Sequence, residues 1–139
     1  MNNQLLLIDD EEVFNLIHST LINHLDKATE IIKYTSSMDA LNFVTNCMIY
    51  NIPLPAIMFI DIRMPEMNGF ELLDEFMKMG PDTFANTRIY VVTSSLNEKD
   101  RIKSMGYPIV TGFKEKMMDK DQILEILKLK EAIIKPSWK

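Results

Sequence analysis

Three aspartates, a threonine and a pair of lysines carry the chemistry available to this sequence. Asp9 and Asp10 follow one short apolar run, Asp61 ends another, Thr93 ends a third, and Lys114 and Lys116 follow a fourth. If those runs are neighbouring parallel strands, all of these residues gather at one edge of a sheet, where the loops leaving the strands form a crevice. Two carboxylates ~4 Å apart repel by ~4 kcal/mol at an effective dielectric near 20, so three together call for a cation or for protonation. All-oxygen ligands with room for water favour Mg2+. A hydroxyl and an ammonium beside them are further donors for an anionic phosphoryl group. The set therefore fits phosphoryl transfer onto a carboxylate nucleophile. A plainer account makes Asp10 the N-cap of a helix, with Glu11 and Glu12 favourable to its dipole, and treats Asp61 as a turn former.

The elements that must position these groups can be read from periodicity. Residues 4–8 and 57–60 are continuous apolar runs, as expected of strands buried on both faces, and 30–34, 88–93 and 109–113 complete a set of five. Helices are predicted between them. The first carries Val13, Phe14, Ile17, Leu21 and Leu25 inward and Asn15, His18, Ser19 and Asn23 outward, which leaves His18 and His24 outside the chemistry. The second is capped by Ser36 or Ser37 and buries Met38, Leu41, Phe43, Val44 and Met48, with Cys47 as a small core residue. The third runs over 69–79 with Phe70, Leu73, Phe76 and Met77 inward, and stops at Gly80-Pro81. A short polar helix opens at Ser94-Ser95 and ends at Gly106, and a last one over 120–134 buries Ile123, Ile126, Leu127 and Leu129. Alternating strands and helices imply an α/β fold with a parallel sheet, right-handed crossovers and helices on both faces.

At 139 residues and 47% hydrophobic content the chain suits one domain, with residues 135–139, including Trp138, as a tail. No apolar run approaches a membrane span, and Met1 to Gln4 lack the basic segment of a signal peptide. A single cysteine is compatible with a reducing compartment, so the cytoplasm is expected. A formal net charge of -5 repels nucleic-acid phosphates and points to protein partners. The eleven methionines are expected mostly to fill the core.

Four segments together resemble the receiver domains of two-component response regulators over residues 4 to about 134: Ile8-Asp9-Asp10, the run from Asp61 through Met64-Pro65 and Met67 to Gly69, Thr93-Ser94, and a lysine after the last strand. The resemblance implies a doubly wound, flavodoxin-like (βα)5 sheet of order 2-1-3-4-5. It makes Asp61 the phospho-acceptor and Mg2+ the cofactor, bound by Asp10, Asp61 and the backbone carbonyl of Arg63, with Asp9 acting through water. Thr93 and Lys116 would contact the phosphoryl group, and Thr93 and Phe113 would form the switch. Lys116 is preferred to Lys114 because the family's switch aromatic stands three residues before its lysine, which pairs Phe113 with Lys116. Met117 replaces the proline usual after that lysine.

What the resemblance implies is a stand-alone receiver with no attached output domain. A histidine kinase or histidine phosphotransfer protein would donate the phosphoryl group, the domain would catalyse its own phosphorylation and slow autodephosphorylation, and an unspecified protein target would read the result. The alternatives are a phosphorylation-independent binding module, a small phosphatase, which would need a second acid where Arg63 stands, and an FMN protein, for which the phosphate loop is missing.

Overall fold

A computed structural model describes residues 2–94 and 96–134. Five strands, β1 (Gln4–Ile8), β2 (Glu30–Tyr34), β3 (Ile57–Asp61), β4 (Arg88–Thr93) and β5 (Val110–Glu115), alternate with helices α1 (Glu12–Leu25), α2 (Ser37–Ile49), α3 (Gly69–Lys78), α4 (Glu98–Met105) and α5 (Lys120–Ile134). The strands pair in parallel in the order β2-β1-β3-β4-β5, the doubly wound topology expected. The central strands β1, β3 and β4 are apolar between their end residues because the sheet is covered on both faces. Leu6, Ile8, Met58, Ile60, Ile89 and Val91 pack under α2 and α3 with Ala40, Val44, Leu72 and Phe76. Leu5, Leu7, Ile57, Phe59 and Val92 pack on the other face with Ile22 of α1 and Ile123, Ile126 and Leu127 of α5.

Register delivers the acids to one edge. Ile8 stands opposite Ile60, so Asp9 comes level with Asp61, which itself pairs with Val92 beside Thr93. Thr93 pairs in turn with Glu115, the residue before Lys116.

Several expectations need correction. On α1 the buried stripe is Asn15, His18, Ser19 and Ile22, whereas Val13, Leu16 and Ile17 face solvent. The buried polar residues have partners there: Asn15 donates to the Asp9 carbonyl and His18 to the Lys116 carbonyl, main-chain acceptors at the exits of β1 and β5 that would otherwise be buried without a donor. On α2, Met38 and Met48 are exposed, as are Met105 and Met117, so fewer methionines fill the core than expected. Cys47 is buried. The fourth helix starts only at Glu98, capped by Asn97, whose side chain accepts from the Asp100 N–H. A single 3-10 turn at Pro81–Phe84, absent from the periodicity reading, buries Phe84 against Phe76. The fifth strand runs two residues beyond Phe113. Ser95, the Trp138 tail and the side chain of Leu129 lie outside the described residues.

Candidate functional site

Asp9 is the first residue past β1, and its N–H still bonds the Tyr34 carbonyl at 3.1 Å. Its Oδ1 accepts from the Glu11 N–H at 2.9 Å, which turns the chain into α1. The N-cap of that helix is Glu11, with no side chain capping it, so Asp10 does not serve as the cap. Asp61 closes β3 and is buried. The N–H of Arg63 reaches back to Asp61 Oδ1 at 3.4 Å. One carboxylate oxygen from each of Asp9, Asp10 and Asp61 lies within 4.8 Å of the others.

Behind Asp61 the loop is held by the start of α3. Asn68 caps that helix in a reciprocal box with Glu71. The Gly69 N–H donates to the Ile62 carbonyl at 2.9 Å. A Cβ on Gly69 would stand 2.5 Å from the Asp61 carbonyl oxygen, so the approach of helix to strand end requires glycine there.

Lys116 closes the site. Its side chain is only 2% exposed, and Nζ lies 3.0 Å from Asp9 Oδ2, 3.1 Å from Glu11 Oε1 and 3.4 Å from Asp61 Oδ2. The ammonium also sits 4.2 Å from the centre of the Phe14 ring. The Lys116 main chain is fixed by its N–H to the Thr93 carbonyl at 2.7 Å, and its carbonyl accepts from His18 Nε2 at 2.7 Å. Lys114, the second choice, belongs to β5 opposite Val92 and is half-buried, with no ion pair to the three aspartates among the described residues. The Lys116-Met117 bond is trans.

Thr93 is buried at the end of β4. Phe113 is half-buried and borders a cavity of about 320 Å3 with Leu96, Asn97, Glu98 and Arg101. Arg63 stands exposed, with a 3.7 Å pair to Asp100 that contributes little in water.

The electrostatics follow from crowding. Burial, with the charge of Asp9 added, pushes the Asp61 carboxyl up to about 7 despite Lys116. Burial also raises Asp9, against the Glu11 N–H and Lys116, which favour its ionised form. Burial works against the Lys116 ammonium, but Asp9, Asp61 and Glu11 outweigh it and hold its pKa above the usual value. One ammonium thus serves an edge lined by Asp9, Asp10, Glu11 and Asp61. Asp9 Oδ2 and Asp61 Oδ2 are buried and, among the described residues, make no well-formed hydrogen bond, with the Lys116 ammonium 3.0 and 3.4 Å away. Hard oxygen donors with surplus negative charge fit a divalent cation such as Mg2+, with Asp9, Asp10 and Asp61 as the residues that could hold it.

Glu11, Phe14, Asn15 and His18 were not assigned to the site from sequence. Asn15, His18 and Ile22 do recur at helical spacing, but Val13, Leu16 and Ile17 form an equally regular stripe of greater hydrophobicity. His24 is exposed on α1, as expected.

A family model described as the response regulator receiver domain matches residues 5–128. Among curated proteins, Regulator of RpoS from Escherichia coli (strain K12) is 24% identical over 127 residues, covering 91% of this chain and 34% of that protein. The chain thus spans about a third of the length of that relative. Among solved structures, a two component response regulator from Cytophaga hutchinsonii is 26% identical with a TM-score of 0.84, over 93% of this chain and 96% of that one. A CheY-like receiver domain protein from Methanospirillum hungatei JF-1 shares the fold at 19% identity, with a TM-score of 0.74 over 96% of this chain and 95% of that one. No described helix is long and apolar enough to cross a membrane.

Proposed function

The chain belongs to the response regulator receiver domain family, and from that premise we propose that Asp61 accepts a phosphoryl group from a phosphohistidine and thereby switches the binding of a protein partner. A carboxylate oxygen of Asp61 attacks phosphorus, and a P–O bond forms as the N–P bond of the donor breaks. The bonding pair returns to the imidazole nitrogen, which takes a proton from solvent. A Mg2+ ion held by Asp10, Asp61 and the Arg63 carbonyl, with Asp9 through water, would supply positive charge that offsets the charge of the incoming phosphoryl oxygens. Lys116 and the Thr93 hydroxyl donate to the phosphoryl oxygens. Water later cleaves the acyl phosphate slowly at the same site.

The observation that carries this reading is the buried Lys116 ammonium, 3.0 Å from Asp9 and 3.4 Å from Asp61, beside three clustered carboxylates. Val13, Leu16 and Ile17 stand exposed on α1, which starts directly after the acids, and offer a histidine kinase or phosphotransfer protein an apolar footing next to the acceptor.

Phosphorylation adds about two negative charges at the strand tips and draws Thr93 and Lys116 toward them. Movement of the Thr93 hydroxyl clears space for Phe113 to turn inward, which remodels the face made by α4, β5 and α5. Such a change is a population shift that a partner preferring one state would read.

Incubation with Mg2+ and a small phosphodonor tests the proposal. Intact-mass measurement should show one added phosphoryl group, absent from Asp61→Asn. No adduct with any donor would favour a phosphorylation-independent binding module that keeps the fold without the chemistry.

A further inference from the structure

We infer that His18 is the positioning residue for Lys116: its Nε2–H grips the Lys116 carbonyl and so sets how far the ammonium reaches along the acidic edge. The consequence for phosphoryl transfer rests on the reading above; the clamp itself rests on geometry. Lys116 is the first residue past β5, where the ladder can still hold its N–H, on the Thr93 carbonyl at 2.7 Å, but offers its carbonyl no strand partner. His18 supplies that partner from α1, ninety-eight residues away in the chain, at 2.7 Å. A carbonyl only accepts, so Nε2 carries the proton whatever the state of the other ring nitrogen.

The imidazole is itself fixed. His18 is 3% exposed, and its ring stands edge-on to Phe59 at 6.1 Å between centroids, two residues before Asp61 on β3. Burial keeps its pKa below the ordinary value, so near neutral pH it adds no charge beside Lys116. The residue after the lysine gives no such anchorage, since Met117 is 59% exposed and its peptide bond is an ordinary trans one. A lysine on four rotatable bonds reaches a defined point only if its Cα is fixed, and here the two clamps on either side of that Cα come from Thr93 and His18. Misplacing a catalytic group by about 1 Å can cost on the order of a hundredfold in rate.

The test uses three single variants of the whole chain and one double variant. His18→Phe keeps the ring against Phe59 but removes the donor, His18→Gln restores a donor at a similar reach, and Lys116→Ala removes the group being positioned. In metal-free protein, the Lys116 ammonium protons should be protected from exchange in wild type and His18→Gln and exposed in His18→Phe, while thermal melts show all three folded. With Mg2+ and a small phosphodonor, His18→Phe should be phosphorylated about tenfold more slowly than wild type, His18→Gln within about threefold, and His18→Phe/Lys116→Ala no more slowly than Lys116→Ala alone. Wild-type ammonium protection in His18→Phe overturns the inference, as do rate losses that simply multiply in the double variant. The exchange measurement needs no phosphoryl uptake, so a wild-type protein that takes up no phosphoryl group would sink the functional reading while the exchange result still judges the clamp.

Discussion

The ammonium of Lys116 lies closer to Asp9 than to Asp61, 3.0 Å against 3.4 Å, so in this state it is held chiefly by the acid next to the acceptor. Taking one partner out of a buried ion pair is costly, because the remaining charge stays buried without compensation. Lys116→Met should therefore destabilise the metal-free protein by roughly 2–4 kcal/mol at pH 8, and by less at pH 5, where the acids can protonate. Urea denaturation at the two pH values measures this. Lys114→Ala, on the half-buried strand residue, should leave both stability and the phosphorylation-induced change near wild type. Should Lys114→Ala abolish that change while Lys116→Ala spares it, the assignment of the lysines is reversed.

Asp61 predicts a second pH dependence. Its carboxyl titrates near 7 in the folded protein, mainly through burial and then through the charge of Asp9, whereas an unfolded aspartate titrates near 3.8. The folded state therefore binds this proton more tightly than the unfolded state does. Below pH 4 both states are protonated and the group contributes no difference; between pH 4 and 7 only the unfolded state ionises freely, so stability falls as pH rises. The fall ends above about 7, when the folded carboxyl has ionised too. The gap of about three units is worth a few kcal/mol, of order 2–4 given the coupling to Asp9. Asp61→Asn should thus gain stability over wild type at pH 8 in EDTA, with the gain vanishing at pH 4 and shrinking when millimolar Mg2+ is added. Equal stabilities at pH 8 without metal would show that Asp61 carries no such strain.

How much of this could be read in advance depends on where each partner lies in the chain. The acids were legible because each ends a continuous apolar run, and a run buried on both faces has to finish at a sheet edge. The face of α1 was not, because Asn15 and His18 serve carbonyls 6, 19 and 98 residues away, and no local spacing records such partners. The exit of β5 was legible only in part. The apolar run ends at Phe113, yet pairing continues to Glu115 after an irregularity between Ile89 and Tyr90, and that extension leaves Lys114 within the sheet and sets Lys116 just beyond it.

The inverted α1 face gives a third prediction. Asn15 is buried and its Nδ2 donates to the carbonyls of Asp9, at 3.1 Å, and Tyr34, at 3.3 Å. By hydrophobic pattern alone Asn15→Leu should stabilise the helix. Because it removes the donor to a buried carbonyl and crowds the exit of β1, we expect a loss of about 1–3 kcal/mol instead. Val13→Ser, on a side chain more than half exposed, should change stability by less than about 0.5 kcal/mol. Chemical denaturation of the two variants decides which face of α1 is buried in solution, and a stable Asn15→Leu beside a damaged Val13→Ser would restore the pattern reading.

Gly69 ties the acceptor to the helix behind it. A methyl group there would stand 2.5 Å from the Asp61 carbonyl oxygen and 3.0 Å from the Ile62 Cα, both main-chain atoms that cannot swing away as a side chain would. Relief has to come from moving α3 outward or the end of β3 inward, and the Gly69 N–H bond to the Ile62 carbonyl, at 2.9 Å, resists the first. The second movement displaces Asp61 from Asp9, Asp10 and Lys116. Gly69→Ala is therefore expected to cost about 1–3 kcal/mol of stability, the range for overpacking a filled core. It should also weaken Mg2+ binding and slow phosphorylation by more than its stability loss explains. Asn68→Ala serves as the control, since it weakens the same helix by about 1 kcal/mol through its cap without touching Asp61. If both variants bind Mg2+ and accept phosphate like wild type, the close approach at Gly69 has no bearing on where the acceptor stands.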